Sequence, residues 1–213
     1  MPFMTLQDLS DKLKQRLTLP LPGAAAHEPM RATAVGNMIP KFEHKLAPKP
    51  GGVLILLFEE AGKIKFPLTK RQEYIGAHSA QVSLPGGKAE AGEHSIQTAL
   101  REAEEEIGIA RNVPNVLGTL SNFFVIPSNF MITPVIASVE VDPVFTPDPR
   151  EVAKILFASI DDLLSIDAIK RREIVAAGQF RMMAPFFEID GDMVWGATAM
   201  MLNEFRLVLK EIL

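Results

Sequence analysis

The chain has 213 residues, of which 47% are hydrophobic and 23% are charged, and this size and composition suit one globular domain with a substantial core. Its net charge of −4 argues against a surface built to hold nucleic acid or anionic lipid, so we expect neither nucleic acid nor a membrane as a partner. The absence of cysteine excludes disulfides, thiolate metal sites and a cysteine nucleophile.

The first 52 residues divide into a helical segment and a segment rich in proline and glycine. Leucines recur at helical spacing among polar residues, which predicts an amphipathic helix containing Leu6, Leu9, Leu13 and Leu17. Residues 20–52 show little apolar periodicity and are predicted to form an arm. We therefore predict an N-terminal helix and arm over residues 1–52, packed on a main domain over residues 53–213. The start lacks the pattern of a secretory signal, so we expect the protein in the cytoplasm.

The main domain alternates strand-like and helix-like segments. Strands are predicted at residues 53–58, 65–70, 81–84, 116–120, 131–141 and 155–157. Helices are predicted at residues 94–107, 160–164 and 197–213, with Gly108 ending the first of them and a turn over residues 188–193. No apolar run approaches the roughly 20 residues that a transmembrane helix needs. These segments predict an α/β fold around a mixed sheet.

The predicted helix over residues 94–107 carries an unusual concentration of negative charge. Its apolar residues share one side, which is expected to pack on the sheet. Glu102, Glu105 and Glu106 fall together on another side, at the spacing that makes helical side chains neighbours. Arg101 is expected to point away from the centre of this patch. A solvated acidic face is one interpretation, and a site for a hard divalent cation such as Mg²⁺ is the other.

Fixed spacing links this acidic patch to residues on both sides of it. In chain order they are Gly87, Glu93, Arg101, Glu102, Ala103, Glu105, Glu106, Gly108 and Ile109. Their order and spacing fill every fixed position of the Nudix box, so the chain resembles the Nudix hydrolases. The resemblance implies an α/β/α sandwich around a mixed β-sheet and hydrolysis of a nucleoside diphosphate linked to another group.

The resemblance also implies a role for each residue of the box. Glu102, Glu105 and Glu106 would hold Mg²⁺ or Mn²⁺, and Glu93 and Arg101 would brace loop and helix through an ion pair. The residue that accepts the proton of the attacking water varies within the family. Glu151, in a polar loop before a predicted strand, is our first candidate for this base, and Glu102 is the other.

Upstream of the box, the sequence resembles the signature of the coenzyme A pyrophosphatase subgroup. The matching positions are Thr69, Arg71, Pro85, Gly86 and Gly87, and the departures are Pro67, Gln72, Gly76, Ala80 and Leu84. The subgroup has arginine at the position of Gly76, and an arginine could bind a phosphate through two parallel N–H bonds. We predict that Arg71, His78, Gly86 and Gly87 contact the substrate, with Lys70 or Lys88 adding diffuse positive charge.

The resulting hypothesis is an enzyme that cleaves coenzyme A or acyl-CoA to adenosine 3′,5′-bisphosphate and a phosphopantetheine. One alternative is a Nudix hydrolase of ADP-ribose, another dinucleotide or a nucleoside triphosphate. Another is a module that senses a nucleotide without cleaving it. Trp195 is expected to pack in the core rather than stack on adenine. The apolar cluster of Met182, Met183, Pro185, Phe186 and Phe187 is expected in the core, or, if exposed, at the interface of a homodimer.

Overall fold

The computed structural model describes residues 4–36, 41–72, 81–176 and 178–213, in which the chain forms five α-helices and twelve strands. The helices are α1 Leu6–Arg16, α2 Ala24–His27, α3 Ser95–Ile107, α4 Ile160–Leu164 and α5 Gly196–Ile212. The first six strands are β1 Thr33–Ala34, β2 Lys49–Glu60, β3 Lys63–Arg71, β4 Val82–Ser83, β5 Gly86–Lys88 and β6 Asn115–Thr119. The remaining strands are β7 Phe123–Val125, β8 Phe130–Ser138, β9 Val152–Ser159, β10 Ile169–Ala176, β11 Phe180–Ile189 and β12 Asp192–Trp195.

The main sheet is mixed and is built around β2. This strand pairs in parallel with β8 and antiparallel with β3 and β5. β4 and β9 extend the sheet on the β3 side, and β6 and β7 extend it on the β8 side. Leu54, Ile55, Leu56 and Leu57 are all buried, because helices cover both faces of the sheet. A continuous apolar run, rather than alternation, is the pattern typical of such a strand.

Helices pack on the two faces of this sheet in separate layers. On one face, Ala99, Ala103 and Ile107 of α3 join the core cluster that contains Leu54 and Val135 of the sheet. Gly52 lies directly under the first turn of α3, where a Cβ atom would collide with the carbonyl oxygen of Ser95. The other face is covered by α1 and α5. The predicted α/β/α sandwich around a mixed sheet is therefore confirmed.

A second, smaller sheet consists of β1, β10, β11 and β12, and none of these four strands was predicted from the sequence. β10 is an edge strand with the sequence IKRREIVA, and residues 170–173 are all exposed, so it lacks the apolar alternation that identifies a half-buried strand. The predicted apolar cluster lies in β11, where Pro185, Phe186 and Phe187 are buried within the chain and Met182 and Met183 are half-buried. The chain itself therefore covers most of this cluster.

The N-terminal segment packs on the closing helix. Leu9 and Leu13 of α1 are fully buried, as the predicted amphipathic helix requires. The first strand of the main sheet begins at Lys49 rather than at residue 53, so its start lies within the predicted arm. Among the described residues, no helix has the length and apolar character needed to cross a membrane.

Candidate functional site

The carboxylates lie on α3, whose two ends are fixed by local interactions. His94 is the N-cap: its ring accepts a hydrogen bond from the backbone N–H of Gln97, and the Gln97 side chain accepts one from the backbone of His94. Gly108 ends the helix in the left-handed conformation, with φ of 76°, as predicted. Thr146 packs against Gly108 so closely that a Cβ atom there would be crowded. These interactions at its two ends fix the direction of α3 and its rotation about its own axis.

Arg101 connects the helix to the loop that precedes it. Its Nε lies 2.8 Å from Oε1 of Glu93, and one of its terminal nitrogens donates to the carbonyl oxygen of Lys88 at 3.0 Å. The Thr98 hydroxyl also donates to Glu93, at 3.0 Å. The hydrogen bond from Arg101 is the main reason that the pKa of Glu93 falls to about 2. The ion pair expected from the resemblance is present.

Arg101 does not point away from the acidic patch, so that prediction was wrong. Its Nη1 lies 2.9 Å from the carboxylate of Glu102 and 3.0 Å from that of Glu105. An arginine side chain is long enough to reach across one turn of helix, and helix rotation alone does not fix where its guanidinium lies. Arg101 therefore joins Glu93 to two members of the patch.

Glu106 is the most deeply buried acid of the patch. Its side chain accepts a hydrogen bond from the backbone N–H of Gly86 at 3.2 Å, and only 4% of the residue is exposed. Its pKa is raised to about 7, mainly by burial and also by the charges of Glu102 and Glu151, although the hydrogen bond from Gly86 and the charge of Arg71 oppose the shift. These two favourable interactions therefore leave the negative charge of Glu106 poorly compensated.

Glu102 lies beneath the loop that contains Gly87. A Cβ atom at Gly87 would collide with the carboxylate of Glu102, so a larger residue at this position of β5 would require the Glu102 side chain to move. Burial raises the pKa of Glu102, and Arg101 only partly offsets the effect. Gly86 and Gly87 are thus held against two poorly compensated carboxylates.

Glu105 differs from the other two acids because about half of its side chain is exposed. In the described ranges, no three acidic or imidazole side chains are already arranged around a single point that an ion could occupy. The carboxylates of Glu102 and Glu105 are instead paired with the guanidinium of Arg101. The donor set consists of carboxylate oxygens, which are the ligands that Mg²⁺ and Mn²⁺ prefer.

Glu151 and Arg71 lie at the edge of the same site. Arg71 ends β3 opposite Val152, the first residue of β9, and Glu151 directly precedes that strand. The charge of Glu151 contributes to the raised pKa values of both Glu102 and Glu106, while that of Arg71 lowers the pKa of Glu106. Because the charges of Glu151 and Arg71 shift these pKa values, both predicted residues act electrostatically on the acidic patch.

Gln72 supports the loop that carries Glu151, a role that the sequence did not suggest. Its backbone N–H donates to the carbonyl of Glu151 at 3.1 Å, and its side-chain amide donates to the carbonyl of Pro149 at 2.9 Å. Gln72 stands where the coenzyme A signature has serine or alanine. That departure was the only signal in the sequence that could have identified it.

Other predicted substrate contacts have different outcomes. Lys70 forms an ion pair with Asp192 at 2.7 Å, so it is not the free positive charge that we expected. His78, Gly76 and Ala80 lie outside the described residues. Leu84, which replaces the phenylalanine of the signature, is buried in the core, so this departure exchanges one apolar core residue for another.

Trp195 is half-buried at the end of β12, where it pairs with Phe186 and precedes α5. Trp195 belongs to neither of the two apolar clusters, so the expected packing in the core is not observed.

Comparison with known proteins matches residues 48–178 to the NUDIX domain. The chain is 36% identical to Nudix hydrolase 22, chloroplastic, of Arabidopsis thaliana over 167 residues, which cover 74% of this chain and 54% of that protein. It is 34% identical to Nudix hydrolase NudL of Yersinia pestis over 134 residues, which cover 62% of this chain and 66% of that protein. The matches therefore span only about half of the length of the plant relatives.

Two solved structures share the fold at low sequence identity. RenU, a Nudix hydrolase from M. smegmatis, aligns with a TM-score of 0.55 and 18% identity, covering 79% of this chain and 89% of that one. An Ap4A hydrolase from C. elegans aligns with a TM-score of 0.51 and 18% identity, covering 76% of this chain and 98% of that one. Since the NUDIX domain accounts for more than half of the sequence and carries the acidic helix described above, the chain belongs to the NUDIX family.

Proposed function

We propose that the protein is a metal-dependent pyrophosphohydrolase that cleaves coenzyme A or acyl-CoA to adenosine 3′,5′-bisphosphate and a phosphopantetheine. The observation that carries the proposal is the pair of carboxylates of half-buried Glu102 and buried Glu106, held against Gly86 and Gly87, with Glu105 on the same helix. Such a group of like charges is unfavourable in a folded protein unless a cation compensates it.

The chemistry of these side chains fits a divalent cation. Glu102, Glu105 and Glu106 would hold Mg²⁺ or Mn²⁺, because all three offer hard oxygen ligands and the first two can turn from Arg101 without breaking the Glu93 ion pair. Glu102 and Glu106 have raised pKa values, so a cation would relieve an existing cost of burial. When bound, such an ion neutralises phosphate charge and acidifies a water molecule.

The other roles in the reaction belong to side chains and backbone groups of the protein. Arg101 keeps the helix and the loop in register through Glu93 and the Lys88 carbonyl. Glu151 would accept the proton of the attacking water, with Glu102 as the alternative base. Arg71 would bind a phosphate oxygen, and the backbone of Gly86 and Gly87 would lie against the diphosphate. His78 keeps its predicted role as a substrate contact.

Support for coenzyme A comes from the residues that surround this site. Thr69, Arg71 and the Pro85-Gly86-Gly87 turn keep the spacing of the subgroup signature. Two departures have structural explanations, since Leu84 is a core residue and Gln72 supports the Glu151 loop. Gly76 still lacks the arginine side chain of the signature, and this observation favours a second candidate.

The direct test is incubation with coenzyme A and Mg²⁺ or Mn²⁺, followed by separation of the nucleotide products. We expect adenosine 3′,5′-bisphosphate to appear only when the metal is present. If coenzyme A stays intact while another dinucleotide is hydrolysed, the substrate assignment is wrong and the metal site is unaffected.

The second candidate is a Nudix hydrolase of ADP-ribose, another dinucleotide or a nucleoside triphosphate. A panel of these compounds, compared by kcat/KM, separates it from the first. A nucleotide-sensing module that does not hydrolyse its ligand would instead bind nucleotide tightly in calorimetry and release no product. Retention of three closely spaced glutamates argues against the sensing module. Location of the protein in the cytoplasm remains a prediction.

A further inference from the structure

Four large apolar side chains are exposed on two segments of the chain that contact each other, residues 41–49 and residues 123–130. Phe42 is 44% exposed, Leu46 79%, Phe124 37% and Ile126 40%. A single exposed apolar residue is ordinary, whereas a group of them commonly marks an interaction surface.

Contacts between the arm and the β7–β8 connection hold these residues together. The ring of His44 lies edge-on to that of Phe124, with 6.3 Å between centroids, and its Nε2 is 2.5 Å from the carbonyl oxygen of Ile126. The side-chain amide of Asn129 donates to the carbonyl of Leu46 at 3.2 Å. We call the surface formed by Phe42, Leu46, Phe124 and Ile126 the arm patch.

Basic side chains flank the arm patch. Lys41, Lys45 and Lys49 are exposed, and none of them forms an ion pair with a carboxylate in the described part of the chain. The Nζ of Lys49 lies 5.4 Å from the centre of the Phe130 ring. Between residues 41 and 49, Glu43 is the only acidic residue. The patch is therefore locally positive although the whole chain carries a net charge of −4.

We propose that the arm patch docks the protein on an anionic lipid bilayer. Apolar side chains that project from the surface can enter the boundary between headgroups and acyl chains, while flanking lysines bind anionic headgroups. Lysines that have no carboxylate partner among the described residues suit an anionic bilayer better than a second copy of the chain, whose corresponding patch would carry the same positive charge. The average charge, on which we based the expectation of no membrane partner, conceals this local concentration.

The arm patch lies at the same end of the main sheet as Gly86 and Gly87 of β5. Lys49 begins β2, and two residues later Gly51 pairs with Lys88 of β5. Docking would consequently bring this end of the sheet towards the membrane.

The test is co-sedimentation of the full chain with vesicles of phosphatidylcholine, with and without phosphatidylserine. We expect binding only to the vesicles that contain phosphatidylserine, and weaker binding as salt is raised. Each of Lys41→Gln and Lys45→Gln should weaken binding about fivefold. Phe42→Ser combined with Leu46→Ser should weaken it by about tenfold or more, because two apolar contacts with the bilayer are lost.

Controls separate docking from folding and from catalysis. Ile166 is 95% exposed outside the patch, so Ile166→Ser should bind vesicles like the unmodified protein. Glu105→Gln should also bind normally, because it alters only the proposed metal site. The Phe42→Ser and Leu46→Ser variant should retain its turnover in the absence of vesicles and its melting temperature.

Equal binding to neutral and anionic vesicles, or binding that survives the patch substitutions, would overturn the proposal. So would a lack of sedimentation together with a dimer, detected by light scattering, that the patch substitutions dissociate. That result would assign the arm patch to contact between copies of the chain. None of these outcomes depends on whether coenzyme A is hydrolysed.

Discussion

Two buried glutamates, Glu204 on α5 and Glu106 on α3, have opposite electrostatic environments. Glu204 is fully buried and accepts backbone N–H groups from Gly23 at 3.0 Å and Ser121 at 3.4 Å, while His27 lies 2.9 Å from its second oxygen. Burial raises its pKa, but these hydrogen bonds outweigh burial and leave the pKa lowered. Glu106 has one backbone donor and acidic neighbours, and its pKa is raised to about 7.

The contrast separates a structural carboxylate from one that we assign to a functional site. The partners of Glu204 come from the arm and the β6–β7 connection, so its charge holds both segments to α5. Among the described residues, Glu106 has no comparable set of partners, and its charge is available to a ligand.

The largest expected effect is on turnover. Glu106→Gln should lower kcat about a thousandfold, because it removes a ligand of the cation that stabilises transition-state charge. Glu104→Gln is the matched control, since Glu104 lies on the same helix but is paired with Arg111 outside the patch. Comparable losses in the two variants, measured in steady-state assays with Mg²⁺, would show that the patch has no special role.

The second expected effect is a dependence of stability on pH in the presence of EDTA. The folded pKa of Glu106, about 7, lies above its ordinary value of 4.5, so the folded state binds the proton more tightly. The resulting stabilisation is complete below pH 4.5 and is lost as pH rises through 7, by up to about 3 kcal/mol. Urea unfolding across this range should show the decline. Glu106→Gln should remove most of it, and an unchanged slope in that variant would contradict the assignment.

The third expected effect concerns the structural carboxylate. His27→Ala should lower the free energy of unfolding by about 3 kcal/mol, because it leaves Glu204 buried with fewer partners. His27→Gln retains a hydrogen-bond donor and should lose less. The lowered pKa of Glu204 adds stability that is present at neutral pH and is lost as pH falls. If His27→Ala unfolds at the same denaturant concentration as the unmodified protein, the pair of His27 and Glu204 contributes nothing to stability.

A smaller loss of turnover is expected at the edge of the site. Glu151→Gln should lower kcat about a hundredfold if Glu151 is the base, and it should lower the pKa of Glu106 by removing a nearby charge. Steady-state assays with Mg²⁺ would measure this loss. If kcat barely changes, Glu102 becomes the preferred base.

Local patterns in the sequence predicted the layers of the fold and the acidic patch. Helical periodicity placed Ala99, Ala103 and Ile107 against the sheet, and the cap at Gly108 was correctly predicted, because both depend on interactions within one helix. The sequence analysis missed β10 and β11. β10 lacks apolar alternation and is defined as a strand by its pairing with β11.

Features of the site that depend on distant parts of the chain were not predictable in the same way. Arg101 reaches two acids that helix rotation had placed away from it, and Asp192 neutralises Lys70 from another sheet. The support of Glu151 by Gln72 likewise joins residues far apart in the sequence. Long side chains and non-local pairing therefore determine where the charges of the site are compensated.

Calorimetric titration with Mn²⁺ of the unmodified protein and of Glu105→Gln tests the metal site most directly, because the exposed side chain of Glu105 can be changed with little effect on folding. We predict saturable binding to the unmodified protein and affinity at least about tenfold lower in the variant. Equal affinity in the two proteins would contradict a metal site formed by Glu102, Glu105 and Glu106.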